Sequence, residues 1–116
     1  MKNNIAVLMI ALFFACNQGP QNLKTGKFKV YGNCSMCKKT IEASLKNKQG
    51  IVKAVWNVKS KVMTVEFDSL ATSLESIQKA IASVGYDNER FTGDELAYAS
   101  LAECCQYKRK EENTNE

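Results

Sequence analysis

A chain of 116 residues, 45% hydrophobic and 24% charged, has room for one small globular core with extensions and is too short for two. Its net charge of +4 is too weak a bias to indicate nucleic acid. Histidine is absent, so imidazole acid/base chemistry is excluded and any metal centre must be built from sulfur and oxygen. Five cysteines then need explaining: Cys16, Cys34, Cys37, Cys104 and Cys105.

The chain opens with Met1 to Asn4, which carry one lysine, then an unbroken apolar run from Ile5 to Phe14, then Ala15 before Cys16. This is the order of an export signal. The run is too short for a bilayer crossing, which needs about 20 residues, and the polar stretch Asn17 to Asn22 does not suit the end of a buried core helix. Residues 1–15 are therefore expected to be a signal peptide. A cysteine directly after a small residue at such a point resembles the lipobox of bacterial lipoproteins, here with Phe13 and Phe14 in place of its usual leucine and small residue. That resemblance implies cleavage before Cys16 and lipidation of its sulfur, which would anchor the protein to a membrane and leave an even number of thiols, as suits an exported protein. Residues 16–26 are polar, hold the only proline, Pro20, and show no periodicity, so they are expected to form a tether.

Residues 27–91 carry the periodic patterns. Lys27 to Tyr31 alternates, with Phe28 and Val30 on one face, and predicts a half-buried strand ending at Gly32. From Cys37 to Lys48 the period becomes helical, with Cys37, Ile41 and Leu45 on one stripe and Gly50 as the stop. Ile51 to Val58 is β-rich, with Ala54, Trp56 and Val58 sharing a face, and Met63, Val65 and Phe67 alternate after a polar turn, which predicts a hairpin. Leu74, Ile77, Ile81 and Val84 form a second helical stripe closed by Gly85. A short strand at Tyr86 to Phe91 would complete the order β-α-β-β-α-β, an α+β ferredoxin-like fold with a four-stranded antiparallel sheet and both helices on one face.

Cys34 and Cys37 stand three positions apart between the first strand and the first helix. Free N–H groups and the positive end of the helix dipole would favour thiolate over thiol there, and Lys38 and Lys39 would add positive charge. Thiolates are soft donors, and two of them on an exposed loop suit a low-coordinate soft ion that must be both received and released. The strand Phe28 to Tyr31, the loop Gly32 to Met36, the helix opening at Cys37-Lys38-Lys39-Thr40-Ile41-Glu42 and the later Val84-Gly85-Tyr86 resemble the heavy-metal-associated domain. That resemblance implies that Cys34 and Cys37 bind a soft metal, Cu(I) first, with Hg(II) or Zn(II) as alternatives, and pass it on by ligand exchange. Glycine stands at position 32, where the family carries a methionine packed beneath the site, and Met36 lies inside the loop. Tyr86 matches an aromatic that would shield the metal loop.

The same thiol pair could serve a thiol-disulfide oxidoreductase in an oxidising compartment. Thioredoxin-like enzymes, however, place an aromatic before the first cysteine and a cis-proline opposite the pair, whereas this chain has Asn33 before Cys34 and only Pro20, upstream. An RNA-binding use of the ferredoxin-like layout lacks its aromatic strand motif.

Residues 92–116 form a C-terminal extension. Asp94 is a candidate N-cap, and Leu101, Cys104 and Cys105 would share a face of a short helix. Neighbouring cysteines seldom stabilise a fold, because a disulfide between them strains the backbone. Cys104 and Cys105 are therefore read as further soft-metal ligands, with disulfide formation or incidental thiols as alternatives. Lys108-Arg109-Lys110 followed by Glu111-Glu112 reads as a solvated, frayed end. The sequence as a whole predicts a lipid-anchored metal carrier of the cell envelope, periplasmic or outer-membrane-associated. It would exchange its ion with a metal transporter or another carrier and catalyse no covalent reaction.

Overall fold

The computed structural model describes residues 22–111; the expected signal peptide, the anchor residue Cys16 and most of the expected tether lie outside them. Within that range the chain forms β1 (Leu23–Lys29), α1 (Ser35–Lys46), β2 (Ile51–Trp56), β3 (Val62–Asp68) and α2 (Leu74–Ser83). A short helix α3 (Glu95–Ala99) and a 3-10 turn at Glu103–Cys105 follow. Strand β3 sits between β1 and β2, antiparallel to both. Side chains alternate across a strand, so Met63, Val65 and Phe67 of β3 all point into the core, with Phe28 opposite Met63 on one side and Trp56 opposite it on the other.

Both long helices lie over this face. Cys37, Ile41 and Leu45 recur at four-residue spacing on α1, and Ile77 and Ile81 do so on α2, and all five are fully buried. Each aliphatic side chain buried in this way contributes about 1.5–3 kcal/mol. Trp56 locks α1 to the sheet. Its indole N–H donates to the carbonyls of Val30 and Lys61, each at 3.1 Å, and its backbone N–H donates to Glu42 Oε2 of α1 at 2.9 Å. Among the described residues no helix is long and apolar enough to cross a membrane.

Two expectations about the sheet need correction. β1 begins at Leu23 rather than Lys27, so the last residues of the expected tether pair with β3, Leu23 opposite Asp68 and Gly26 opposite Val65. Their alternation is hidden because Leu74 of α2, rather than a side chain from β1, fills the inward space at Gly26. The fourth strand is not formed, and the described sheet has three strands. At Tyr86 to Phe91 only Asn88 bridges to Val30, because the Asn88 side chain folds the backbone back on itself, accepting from the N–H groups of Arg90 at 3.1 Å and Phe91 at 3.0 Å. A side chain that captures its own backbone in this way competes with strand pairing.

The C-terminal extension packs on the domain, and with it Arg109 and Lys110 of the run expected to fray. Gly85 has φ +99°, and a Cβ on it would lie 2.7 Å from the Tyr98 nitrogen, so only glycine lets α3 come this close. Asp94 caps α3 by accepting from the Ala97 N–H at 2.9 Å. Tyr107 stacks on Tyr86 with ring centroids 5.3 Å apart, donates its hydroxyl to the Gly85 carbonyl at 2.6 Å and accepts from the Asp87 N–H at 2.7 Å. Tyr98 packs edge-on against Tyr107 and donates its hydroxyl to the Tyr107 carbonyl at 2.7 Å.

Asp87 closes the arrangement. Its buried carboxylate accepts from both Nε and Nη2 of Arg109, at 3.2 and 2.7 Å, from the Gly93 N–H at 2.7 Å and from the Lys110 N–H at 3.1 Å. Arg109 also pairs with Glu95 at 2.9 Å and lies over the Tyr98 ring. Burial works against the Asp87 charge, yet Arg109 and the two N–H groups outweigh it and hold the carboxyl below its ordinary range. A carboxyl depressed in the folded state stabilises the protein above its unfolded pKa, and that contribution is lost as the pH falls through the lower, folded value. Asp87→Asn is expected to cost about 3 kcal/mol at pH 7, because it leaves Arg109 without its buried partner. In urea unfolding the gap between variant and wild type should close as the pH drops below about 4, the ordinary carboxylate range.

Candidate metal centre

The loop from Gly32 to Cys34 delivers the first thiol to the start of α1, where Cys34 is the N-cap residue. Three residues on, just under one helical turn, Cys37 projects from the buried face of the helix. Their sulfurs are 3.9 Å apart. The 3-10 turn brings Cys105 to the same place, and the sulfurs of Cys34, Cys37 and Cys105 all lie within 4.8 Å of one another. A metal held at the centre of three thiolates at about 2.3 Å needs sulfurs about 4 Å apart, so the cluster closes on an ion with small side-chain movements.

Cys104 does not join this triad. A 3-10 turn has three residues per turn, so adjacent side chains diverge by about 120° and only one of a neighbouring pair can face inward. Cys105 is buried and Cys104 is exposed. Cys104 Sγ lies 3.4 Å from Met36 Sδ and 3.9 Å from Cys105 Sγ. The expected single helix carrying both cysteines with Leu101 is absent, because α3 ends at Ala99 and the turn starts afresh at Glu103.

The environments of the thiols differ. Backbone N–H groups of Cys37, and then of Met36, at the open first turn of α1 hold the Cys34 thiol below its ordinary range against the opposing effect of burial. The expected help from lysine is missing at position 38, because Lys38 Nζ is engaged by Glu42 at 2.6 Å and by the Trp56 carbonyl at 2.8 Å. Cys105 is pushed up to about 12, chiefly by burial and then by Cys104 and Cys37 beside it. Cys37 donates its S–H to Asn33 Oδ1 at 2.8 Å, and the Asn33 backbone N–H points back at the same sulfur at 3.5 Å. Asn33 therefore orients the inner thiol, a role that sequence reasoning missed.

Two further residues shape the walls. A Cβ at position 32 would lie 2.9 Å from Cη2 of Trp56 and 3.3 Å from Cys37 Cβ, so the indole occupies the room a larger side chain there would need. Tyr86 is fully buried beside the thiols, and its hydroxyl has no hydrogen-bond partner among the described residues. Burial first, and then neighbouring Cys37 and Cys105, push its ionisation far above the ordinary phenol range, so it is a neutral wall.

Three sulfurs converging on a small α+β scaffold define a soft-metal-binding domain. The chain belongs to the heavy-metal-associated domain family, whose profile matches residues 28–87. A zinc-transporting ATPase of Synechocystis sp. is 38% identical over 65 residues, which is 55% of this chain. The chain spans only 9% of that relative's length. Among solved structures, the CopZ metallochaperone aligns at 27% identity and a TM-score of 0.54, over 56% of this chain and 98% of its own. Oxidised MerP from Ralstonia metallidurans aligns at 28% and 0.55, over 58% of this chain and 94% of its own. Cys105, Tyr107 and Arg109 lie beyond the residues matched to the family.

A thiol must lose its proton before it ligates a metal. Cys105, at about 12, keeps its proton across the neutral range, so its entry into the shell releases one proton. Apparent metal affinity of the full chain should therefore weaken by at least about tenfold per pH unit as the pH is lowered from about 9 to 7, read by competition with a pH-calibrated chelator.

Proposed function

We propose that this protein is a carrier that binds a soft metal ion, Cu(I) before Hg(II) or Zn(II), through Cys34, Cys37 and Cys105, and passes it to a partner by ligand exchange. The observation that carries this reading is the meeting of three sulfurs from two separate parts of the chain. Three thiolates suit Cu(I), whereas a closed zinc site asks for four ligands, and Cys104 lies outside the group of sulfurs within 4.8 Å of one another. The similarity to a metallochaperone and to part of a zinc-transporting ATPase supports a metal-transporting ATPase or another carrier as the exchange partner. The export signal and Cys16 support a lipid-anchored protein of the cell envelope, working by binding and release rather than by covalent catalysis. The oxidoreductase alternative gains no feature of its own from the site.

Anaerobic Cu(I) titration tests the ligand set. Cys34→Ser/Cys37→Ser should lose tight binding, and Cys105→Ser should retain it about tenfold or more weakly, a difference of at least about 1.4 kcal/mol. Full affinity in the double variant would sink the site. For the anchor, the wild type should incorporate labelled lipid and Cys16→Ser should not; equal labelling of the two would remove it.

A further inference from the structure

Among the described residues, Cys104 and Met36 are the two exposed sulfur side chains outside the triad, Met36 at 50%. They come from separate parts of the chain, Met36 from the first turn of α1 and Cys104 from the 3-10 turn, yet their sulfurs stand 3.4 Å apart. An unbranched thioether left half in water adds little to the core, and its described polar partner is the S–H of Cys104, 68 residues away in sequence. Cys104 Sγ is also only 3.9 Å from Cys105 Sγ, which belongs to the triad, so the two sets of sulfurs are contiguous.

We propose that Cys104 and Met36 form an outer receiving site, a thiol and a thioether that capture Cu(I) from solvent or from a donor and hand it inward to the triad. This rests on the carrier reading and adds the route by which the ion enters. Both groups are soft donors, and a thioether selects for Cu(I) because zinc sites draw on thiolate, imidazole and carboxylate instead. The two side chains need to part by about 1 Å to admit an ion, which their exposure allows. The transfer is ligand exchange without redox change. Copper stays Cu(I) while its bonds to Cys104 Sγ and Met36 Sδ break and bonds to Cys105, Cys34 and Cys37 form. Each thiol entering the shell gives its proton to solvent, and Cys104 regains one on release. Holding the ion beside the triad turns the second step into an intramolecular one with a high effective concentration.

The test is the rate of Cu(I) uptake from a chromophoric chelator, followed by anaerobic stopped flow on the full chain, for wild type, Met36→Leu and Cys104→Ser. Both substitutions sit at exposed positions and nearly conserve volume. Each variant is expected to take up Cu(I) about tenfold more slowly or worse, with final affinity within about threefold of wild type, while Zn(II) uptake by Met36→Leu stays at the wild-type rate. Cu(I) uptake at the wild-type rate in both variants would overturn the outer site, as would equal slowing for Zn(II) in Met36→Leu, which marks a structural effect. A wild type that binds no Cu(I) would overturn the carrier reading as well, so the two failures are told apart.

Discussion

The buried carboxylate of Asp87 holds together the parts of this protein that would otherwise be independent. It lies directly after the aromatic Tyr86 that walls the metal loop, and it binds Arg109 and the backbone of Lys110 from the C-terminal segment. Tyr107 adds two hydrogen bonds to the same stretch, one to the Gly85 carbonyl and one from the Asp87 N–H. Between Gly93 and Arg109, both tied to Asp87, the chain has little freedom, and Cys105 lies within that span. The position of Cys105 is thus set by an ion pair and by a tyrosine whose backbone N–H donates to the Cys105 carbonyl at 2.9 Å, an arrangement in which supporting residues orient the candidate ligands.

This strap changes the chemistry available to the loop. Two thiols at a helix start suit an ion in passage, and in the proposed carrier a third, buried sulfur with a high pKa would add affinity at the cost of a proton. The site is therefore graded. Cys34 at the helix start has its thiol held below the ordinary range, Cys37 is oriented by Asn33, and in the proposed carrier Cys105 would join as an ion displaces its proton. In the proposed carrier, a partner drawing the ion away would have Cys34 as its accessible point of attack, because Cys37 and Cys105 are buried.

Much of the domain was legible from periodicity. The stripes Cys37, Ile41, Leu45 and Ile77, Ile81, and the alternation Met63, Val65, Phe67, mark the buried faces as the sequence pattern predicts, because burial on one face leaves a repeat in the sequence. The failures have specific causes. The start of β1 is hidden because Leu74 of α2 supplies the apolar filling at Gly26, so the strand's first residues show no alternation. The fourth strand was expected from Tyr86 and Phe91, but the side chains of Asp87 and Asn88 take up backbone and guanidinium donors there and turn the chain. Arg109 looked like part of a solvated charge run, since its partner is 22 residues distant in sequence and no local pattern announces it. The Cys104-Cys105 pair was visible as a candidate, while its division into an inward and an outward thiol depends on the pitch of a 3-10 turn.

The proposed carrier requires Cys105 to complete the site that Cys34 and Cys37 begin. X-ray absorption at the copper edge of the full chain loaded with one equivalent of Cu(I) counts the sulfurs directly. Three sulfur neighbours are predicted for the wild type and two for Cys105→Ser. Two sulfurs in the wild type, unchanged by that substitution, would contradict the account.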